Sequence, residues 1–112
     1  MVSKELIAAS SKPLILGILA RGESYGYAII QEVGDRTGGA LEWTEGMLYP
    51  VLHRLEREEL IRGRWRTSES GRRRRYYSLS PKGRKALEAE RQQWSVVHST
   101  LSGLWEALPC SI

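Results

Sequence analysis

From Arg62 to Lys85 the chain carries ten basic residues against one acid, Glu69, and four of the ten are consecutive, Arg72 to Arg75. The 112 residues together have a formal net charge of only +4, so this one segment holds more than the whole positive excess. Guanidinium groups bind phosphates by charge and by forked hydrogen bonds, and a local basic patch on a near-neutral body is the footprint of a polyanion binder. The alternative is a solvated charged loop. Other chemistry has little to stand on. His53 and His98 are the two histidines, and neither has metal-ligand spacing to acids or to Cys110. A single cysteine excludes an intrachain disulfide and a cysteine-rich zinc site. No nucleophile elbow, phosphate loop or carboxylate pair is present, so neither an enzyme nor a bound cofactor or metal is expected.

The arginines need a hairpin to present them. Gly63–Thr67 alternates, with Trp65 apolar between Arg64 and Arg66, as in a half-buried strand. Ser68-Glu69-Ser70-Gly71 is turn chemistry, and Arg75-Tyr76-Tyr77-Ser78-Leu79 reads as the returning strand, with Arg72 to Arg75 at and just past the tip. Just before lies Thr44–Ile61. Leu48, Val51, Leu52 and Leu55 recur there at helical spacing on one face, while Gly46, Tyr49, Pro50, His53, Arg54 and Arg57 share the other. Thr44 is the expected N-cap. Taken alone this is an ordinary amphipathic helix; followed by an arginine-tipped hairpin it reads as a recognition helix beside its wing.

Upstream, Lys4–Ala20 is predicted helical, with Pro13 either its first position or a kink within it; we favour the longer, kinked helix, ended by Gly22. Ser24 is expected to cap a second helix from Tyr25 to about Arg36, facing Tyr27, Ile30 and Val33 inward, with Gly38-Gly39 stopping it. Ala40–Trp43 leads into Thr44 and is a candidate short strand. Downstream, Ser80-Pro81 opens a last helix, in which Leu87, Trp94, Leu101 and Leu108 repeat every seven residues with Val97 and Leu104 between them. That stripe packs either on its own domain or against a second copy, and the helix is long for so small a core. The expected fold is mainly α with a β-hairpin wing: a winged helix-turn-helix over residues 1–80, a dimerisation helix over 81–108 and a tail over 109–112. Leu14–Ala20 lacks the flanks of a leader and is too short to span a bilayer, so a cytoplasmic protein without a membrane partner is expected.

Five segments in order resemble the PadR family of bacterial transcriptional regulators: Ile15-Leu16-Gly17-Ile18-Leu19, Tyr25-Gly26-Tyr27, Leu48-Tyr49-Pro50-Val51-Leu52 with Leu55-Glu56, Arg74-Arg75-Tyr76-Tyr77, and Leu79-Ser80-Pro81-Lys82-Gly83. The short chain with one C-terminal helix is similar to the family's smaller subclass, some members of which bind flat aromatic drugs between tryptophans at the dimer centre. The resemblance also accounts for Pro50 inside a helix. Two positions depart from the pattern: the family often has His where Tyr25 stands and usually has Gly where Glu59 stands. If the backbone at Glu59 requires a positive φ, that residue is strained.

The function expected on these grounds is a homodimeric DNA-binding regulator on a pseudo-palindromic operator, and the resemblance implies a repressor released by a small planar aromatic effector. The expected DNA face comprises Ser24, Tyr25, Thr44, Gly46, Tyr49, His53, Arg54, Arg72, Arg73 and Arg74. Gly46 permits close approach, Tyr49 reaches a phosphate, His53 and Arg54 reach base edges or backbone, and the wing arginines neutralise phosphates. The dimer seam is expected at Leu87, Trp94, Val97, Leu101 and Leu104, together with the first helix. An effector would lie at Trp94, with Leu6, Ile7, Ile15, Ser11 and His98 around it; the alternative for Trp94 is a core residue. The rival function is a winged helix used for protein contacts without operator binding. An RNA partner fits less well, because a recognition helix suits the major groove of B-DNA.

Overall fold

The computed structural model describes residues 1–108. The tail expected over 109–112, with Cys110, lies outside the described residues. Four helices and a small sheet follow one another as α1 (Lys4–Ala20), β1 (Ser24–Tyr25), α2 (Gly26–Arg36), α3 (Glu45–Arg57), β2 (Ile61–Thr67), β3 (Arg73–Leu79) and α4 (Pro81–Glu106). The sheet is antiparallel in the order β1-β3-β2. This is the expected fold class, mainly α with a hairpin wing.

Helix α1 continues through Pro13, as in the longer of the two expected forms, and is capped by Ser3, whose hydroxyl accepts from the Leu6 N–H at 3.2 Å. Its Ile7, Ile15, Leu16, Ile18 and Leu19 join Ile29 and Val33 of α2 and Leu48, Leu52 and Leu55 of α3 in one core. Gly38 and Gly39 both take positive φ, 60° and 82°, and so stop α2 where a side chain would be strained. The connection to α3 adds no strand. Leu41 and Trp43 instead anchor it by burial in the core.

Three local expectations are corrected. Ser24 does not cap α2: it pairs with Tyr77 in the sheet, and the capping position falls to Tyr25, which makes no side-chain cap bond. Tyr27 points outward, and Ile29 takes the buried position expected of it. Trp65 is 56% exposed, so the alternation of the wing strand does not bury it. The outer wing has no second layer to pack on.

The end of α3 fits the family departure noted at Glu59. Its φ is 63°, the Leu60 N–H bonds to the Leu55 carbonyl at 3.0 Å, and the Glu59 N–H bonds to the Glu56 carbonyl at 3.0 Å. That paired closure, with Leu60 and Leu55 both buried, is a Schellman cap whose left-handed position is normally glycine. The strained alternative therefore holds.

Ser80 caps α4 by accepting from the Gly83 N–H at 2.9 Å, with its own hydroxyl 2.7 Å from the Glu59 carbonyl. Gly83, Ala86 and Leu87 bring the first turns of α4 against the body, and Lys12 of α1 reaches Glu90 at 3.9 Å. That pairing accounts for a charged residue at 90, the position that Val97 and Leu104 fill one and two heptads later. Beyond it α4 projects, giving a radius of gyration of 16.1 Å where a compact chain of this length has roughly 13 Å.

Candidate nucleic-acid interface

Helix α3 is positioned by its apolar stripe. Leu48, Leu52 and Leu55 are fully enclosed, which turns Gly46, Pro50, His53, Arg54 and Arg57 to the surface. Thr44 caps the helix as expected, its hydroxyl accepting from the Met47 N–H at 3.2 Å. Pro50 lies within the helix and has no N–H for the Gly46 carbonyl, a loss that falls on the solvent side. Tyr49 is half-buried between α3 and the start of α2. A Cβ on Gly26 would lie 2.5 Å from the Tyr49 hydroxyl, so glycine at 26 is what lets the two helices close around that ring. Tyr27 stands on the same side, its hydroxyl accepting from the Gln31 side chain at 3.1 Å.

The wing is a continuous ladder in which Ile61 opposes Leu79, Gly63 opposes Tyr77, Trp65 opposes Arg75 and Thr67 opposes Arg73. These pairs share the face that is buried at its inner end by Ile61 and Tyr77 and open at its outer end. Arg64, Arg66, Arg74 and Tyr76 occupy the reverse face with Tyr25 of β1. There the Arg66 guanidinium lies 4.0 Å from the Tyr76 ring centroid and that of Arg74 lies 4.3 Å from the Tyr25 centroid, while Tyr25 meets Tyr76 edge-on at 5.3 Å. Ser24 and Tyr25 thus act in the sheet, tying the wing to the start of α2.

The basic segment is less free than its composition implies. Glu23 pairs with both Arg64, at 3.3 Å, and Arg66, while Glu56 of α3 pairs with Arg75. Among the described residues, Arg72, Arg73 and Arg74 pair with no carboxylate, and neither do Arg54 and Arg57. The long-range pairings of Glu23 and Glu56 have no signal in the sequence, since the partners lie 41, 43 and 19 residues away.

Between α3 and the wing lies a cleft of about 720 Å³. Glu45, Tyr49 and His53 of α3 line it together with Tyr25 of β1 and with Trp65 and Arg72 to Arg75 of the wing. Tyr77 lies at its floor. Burial pushes its phenol above the usual range, with Arg75 pulling the other way, and among the described residues its hydroxyl meets no hydrogen-bond partner. The cleft's lining combines four arginines with tyrosine, histidine and tryptophan rings. It brings together Tyr25, Tyr49, His53, Arg72, Arg73 and Arg74; Gly46 and Arg54 lie on the adjoining exposed face of α3.

The residues expected around an aromatic ligand are not gathered in this way. Ile15 is fully enclosed in the core, Ile7 is buried, and the Ser11 hydroxyl is engaged by the Ile7 carbonyl at 2.6 Å. These three are enclosed within the protomer and do not line the depression beside Trp94. Leu6 is exposed; Trp94, half-buried, and His98, exposed, line a shallow depression with Glu88, Arg91 and Gln92. Among the seam residues, Leu87 packs on the body, whereas Val97, Leu101 and Leu104 are exposed.

A core of three helices, a recognition helix with a polar outer face and a basic hairpin beside it define a winged helix-turn-helix, a fold of DNA-binding regulators. Comparison with known proteins makes this particular. The model of the transcriptional regulator PadR-like family matches residues 15–89, and the chain belongs to that family. It is 37% identical over 89 residues to the transcriptional regulator Rv3488 of Mycobacterium tuberculosis, covering 80% of this chain and 79% of that one. An uncharacterized protein X of Lysinibacillus sphaericus is 30% identical over 108 residues, 96% of this chain and 99% of its own. The PadR-like transcriptional regulator BC4206 of Bacillus cereus superposes with a TM-score of 0.82 at 30% identity, over 94% of this chain and all of that one. The chain is thus a transcriptional regulator of the PadR family, whose members are not enzymes and bind DNA. No helix among the described residues is long and apolar enough to cross a membrane.

Proposed function

We propose that the protein is a homodimeric repressor that binds a pseudo-palindromic DNA operator, with α3 reading the major groove and the wing holding the backbone. The observation that carries this reading is the cleft whose wing side presents Arg72, Arg73 and Arg74 without carboxylate partners, next to the outward face of α3. Gly46, Tyr49, His53 and Arg54 supply the groove-facing surface, and Arg54 is the residue suited to guanine O6 and N7. Residues 1–80 form the DNA-binding unit, and 81–108 the dimerisation helix, whose first turns rest on that unit. The exposed apolar residues Val97, Leu101 and Leu104 take a second copy of the chain, together with Leu6 of α1. The protein acts in the cytoplasm. A two-fold dimer presents two recognition helices, so selection from a random duplex pool should return an inverted repeat with half-site centres about one helical turn apart. Enrichment of no sequence over the starting pool would contradict it.

The effector reading rests on the subclass resemblance and on Trp94 standing half-buried in the stripe, with His98 lining the same depression. A planar aromatic compound between two Trp94 rings releases DNA only if it favours a different spacing of the recognition helices, because equal affinity for both states shifts nothing. Joint titration of Trp94 fluorescence and operator affinity tests it.

A further inference from the structure

Trp65 is the exposed aromatic residue of the wing, and nothing so far gives it a role. Its face of the sheet begins inside the core at Ile61 and Tyr77, both about 1% exposed, and ends outside it at Trp65, which is 56% exposed. The ring is not loose. The Arg73 guanidinium lies 5.1 Å from its centroid and that of Arg75 lies 5.8 Å away, and Arg75 is itself held by Glu56 of α3. An indole kept in water between two cations is an informative exposure, since large apolar side chains so placed mark contact surfaces. It lines the cleft from the wing side, across from Tyr49 and His53.

We propose that Trp65 is a DNA-contacting residue: its indole packs on a deoxyribose of the strand lying in the cleft while Arg73 takes an adjacent phosphate. This deepens the proposed function and rests on it. The occupant follows from charge and chemistry. A nucleic-acid backbone alternates anionic phosphate with an apolar sugar face, and this wall of the cleft alternates guanidinium with indole. The Arg73 cation has no carboxylate partner among the described residues, so a phosphate meets it without displacing one. The sugar contact releases no counterions and reads no base. Trp65 therefore supplies the salt-independent part of the wing's affinity, and Arg73 the salt-dependent part.

The test measures binding of the full-length protein to its selected operator and to random duplex across a salt series, for wild type, Trp65→Ala, Trp65→Phe and Arg73→Ala. Trp65→Ala should weaken both duplexes by about tenfold at every salt concentration with an unchanged slope, a loss within the range for aromatic packing on nucleic acid. Trp65→Phe should recover most of that loss. Arg73→Ala should flatten the slope by about one unit. A Trp65→Ala slope that falls with that of Arg73→Ala would overturn the contact, because the indole would then act only by holding the guanidinium. Unchanged affinity for Trp65→Ala and Trp65→Phe, with wild type binding normally, overturns this inference alone. Absence of duplex binding by wild type overturns the parent reading with it.

Discussion

The body of the molecule and the outer half of α4 use the same apolar residue types to opposite effect. In the body, Leu48, Leu52, Leu55, Ile15 and Leu16 are completely enclosed, and three loops are closed by Schellman, serine and threonine caps. Past Glu90, Val97, Leu101, Leu104 and Trp105 of α4 stand exposed, as does Leu108 just beyond its end. Burying a leucine side chain contributes about 1.5–3 kcal/mol, so a row left in water is stability withheld until something covers it. The body is closed by its own contacts, whereas the outer helix leaves its apolar row open. Trp105 adds to this lesson, since it lies eleven residues after Trp94, on nearly the same side of the helix, although the heptad reading passed over it.

The joint between the two regions is where this contrast is most easily broken. Gly83 sits so close to the body that a Cβ would overlap the Leu60 carbonyl oxygen and crowd the Leu79 side chain. Gly83→Ala should cost about 3 kcal/mol, because a backbone oxygen cannot rotate away. Denaturant unfolding checks it, and a midpoint equal to wild type would mean that α4 is not seated on the body as described.

Leu101→Glu should separate the regions instead. A charge in the stripe should yield a monomer whose body still folds, with operator affinity reduced by about a hundredfold through loss of the second recognition helix. Val96→Glu, on the opposite side of the same helix, should leave the dimer intact. Sedimentation of both variants decides the matter: equal behaviour would show that the exposed stripe is not the seam.

The smallest effect lies inside the body. Glu59 holds a left-handed conformation that costs a non-glycine residue roughly 1–2 kcal/mol, at φ 63°. Glu59→Gly should relieve part of that strain and stabilise the protein by about 1 kcal/mol, the added freedom of the unfolded chain offsetting the rest. Thermal unfolding should move up by several degrees. A lower midpoint would show that the Glu59 side chain supplies a contact outweighing its backbone strain.

What could be read in advance follows a physical division. Signals carried within one turn were legible: Thr44 and Ser80 as caps, the Leu48–Leu55 stripe, the Ser68–Gly71 turn, and the strain at Glu59 once the family pattern was applied. Signals carried across the chain were not. Ser24 has the chemistry of a cap, but its backbone is claimed by Tyr77, 53 positions on, and Glu23 and Glu56 neutralise wing arginines by contacts that no local pattern announces. Trp65 and Tyr27 were misplaced because alternation and helical period give a face without saying whether anything lies over it. The same gap hid the burial of Ile15 and Ser11 within the protomer.

The salt dependence of operator binding tests the central claim most directly, that unpaired wing arginines hold DNA phosphates beside the recognition helix. The slope of log affinity against log salt is to be measured for wild type and for the Arg72→Ala, Arg73→Ala double variant on operator and random duplex. The account predicts that the double variant weakens both duplexes alike and flattens the slope by roughly two units, one per phosphate contact removed. A slope identical to wild type would contradict it.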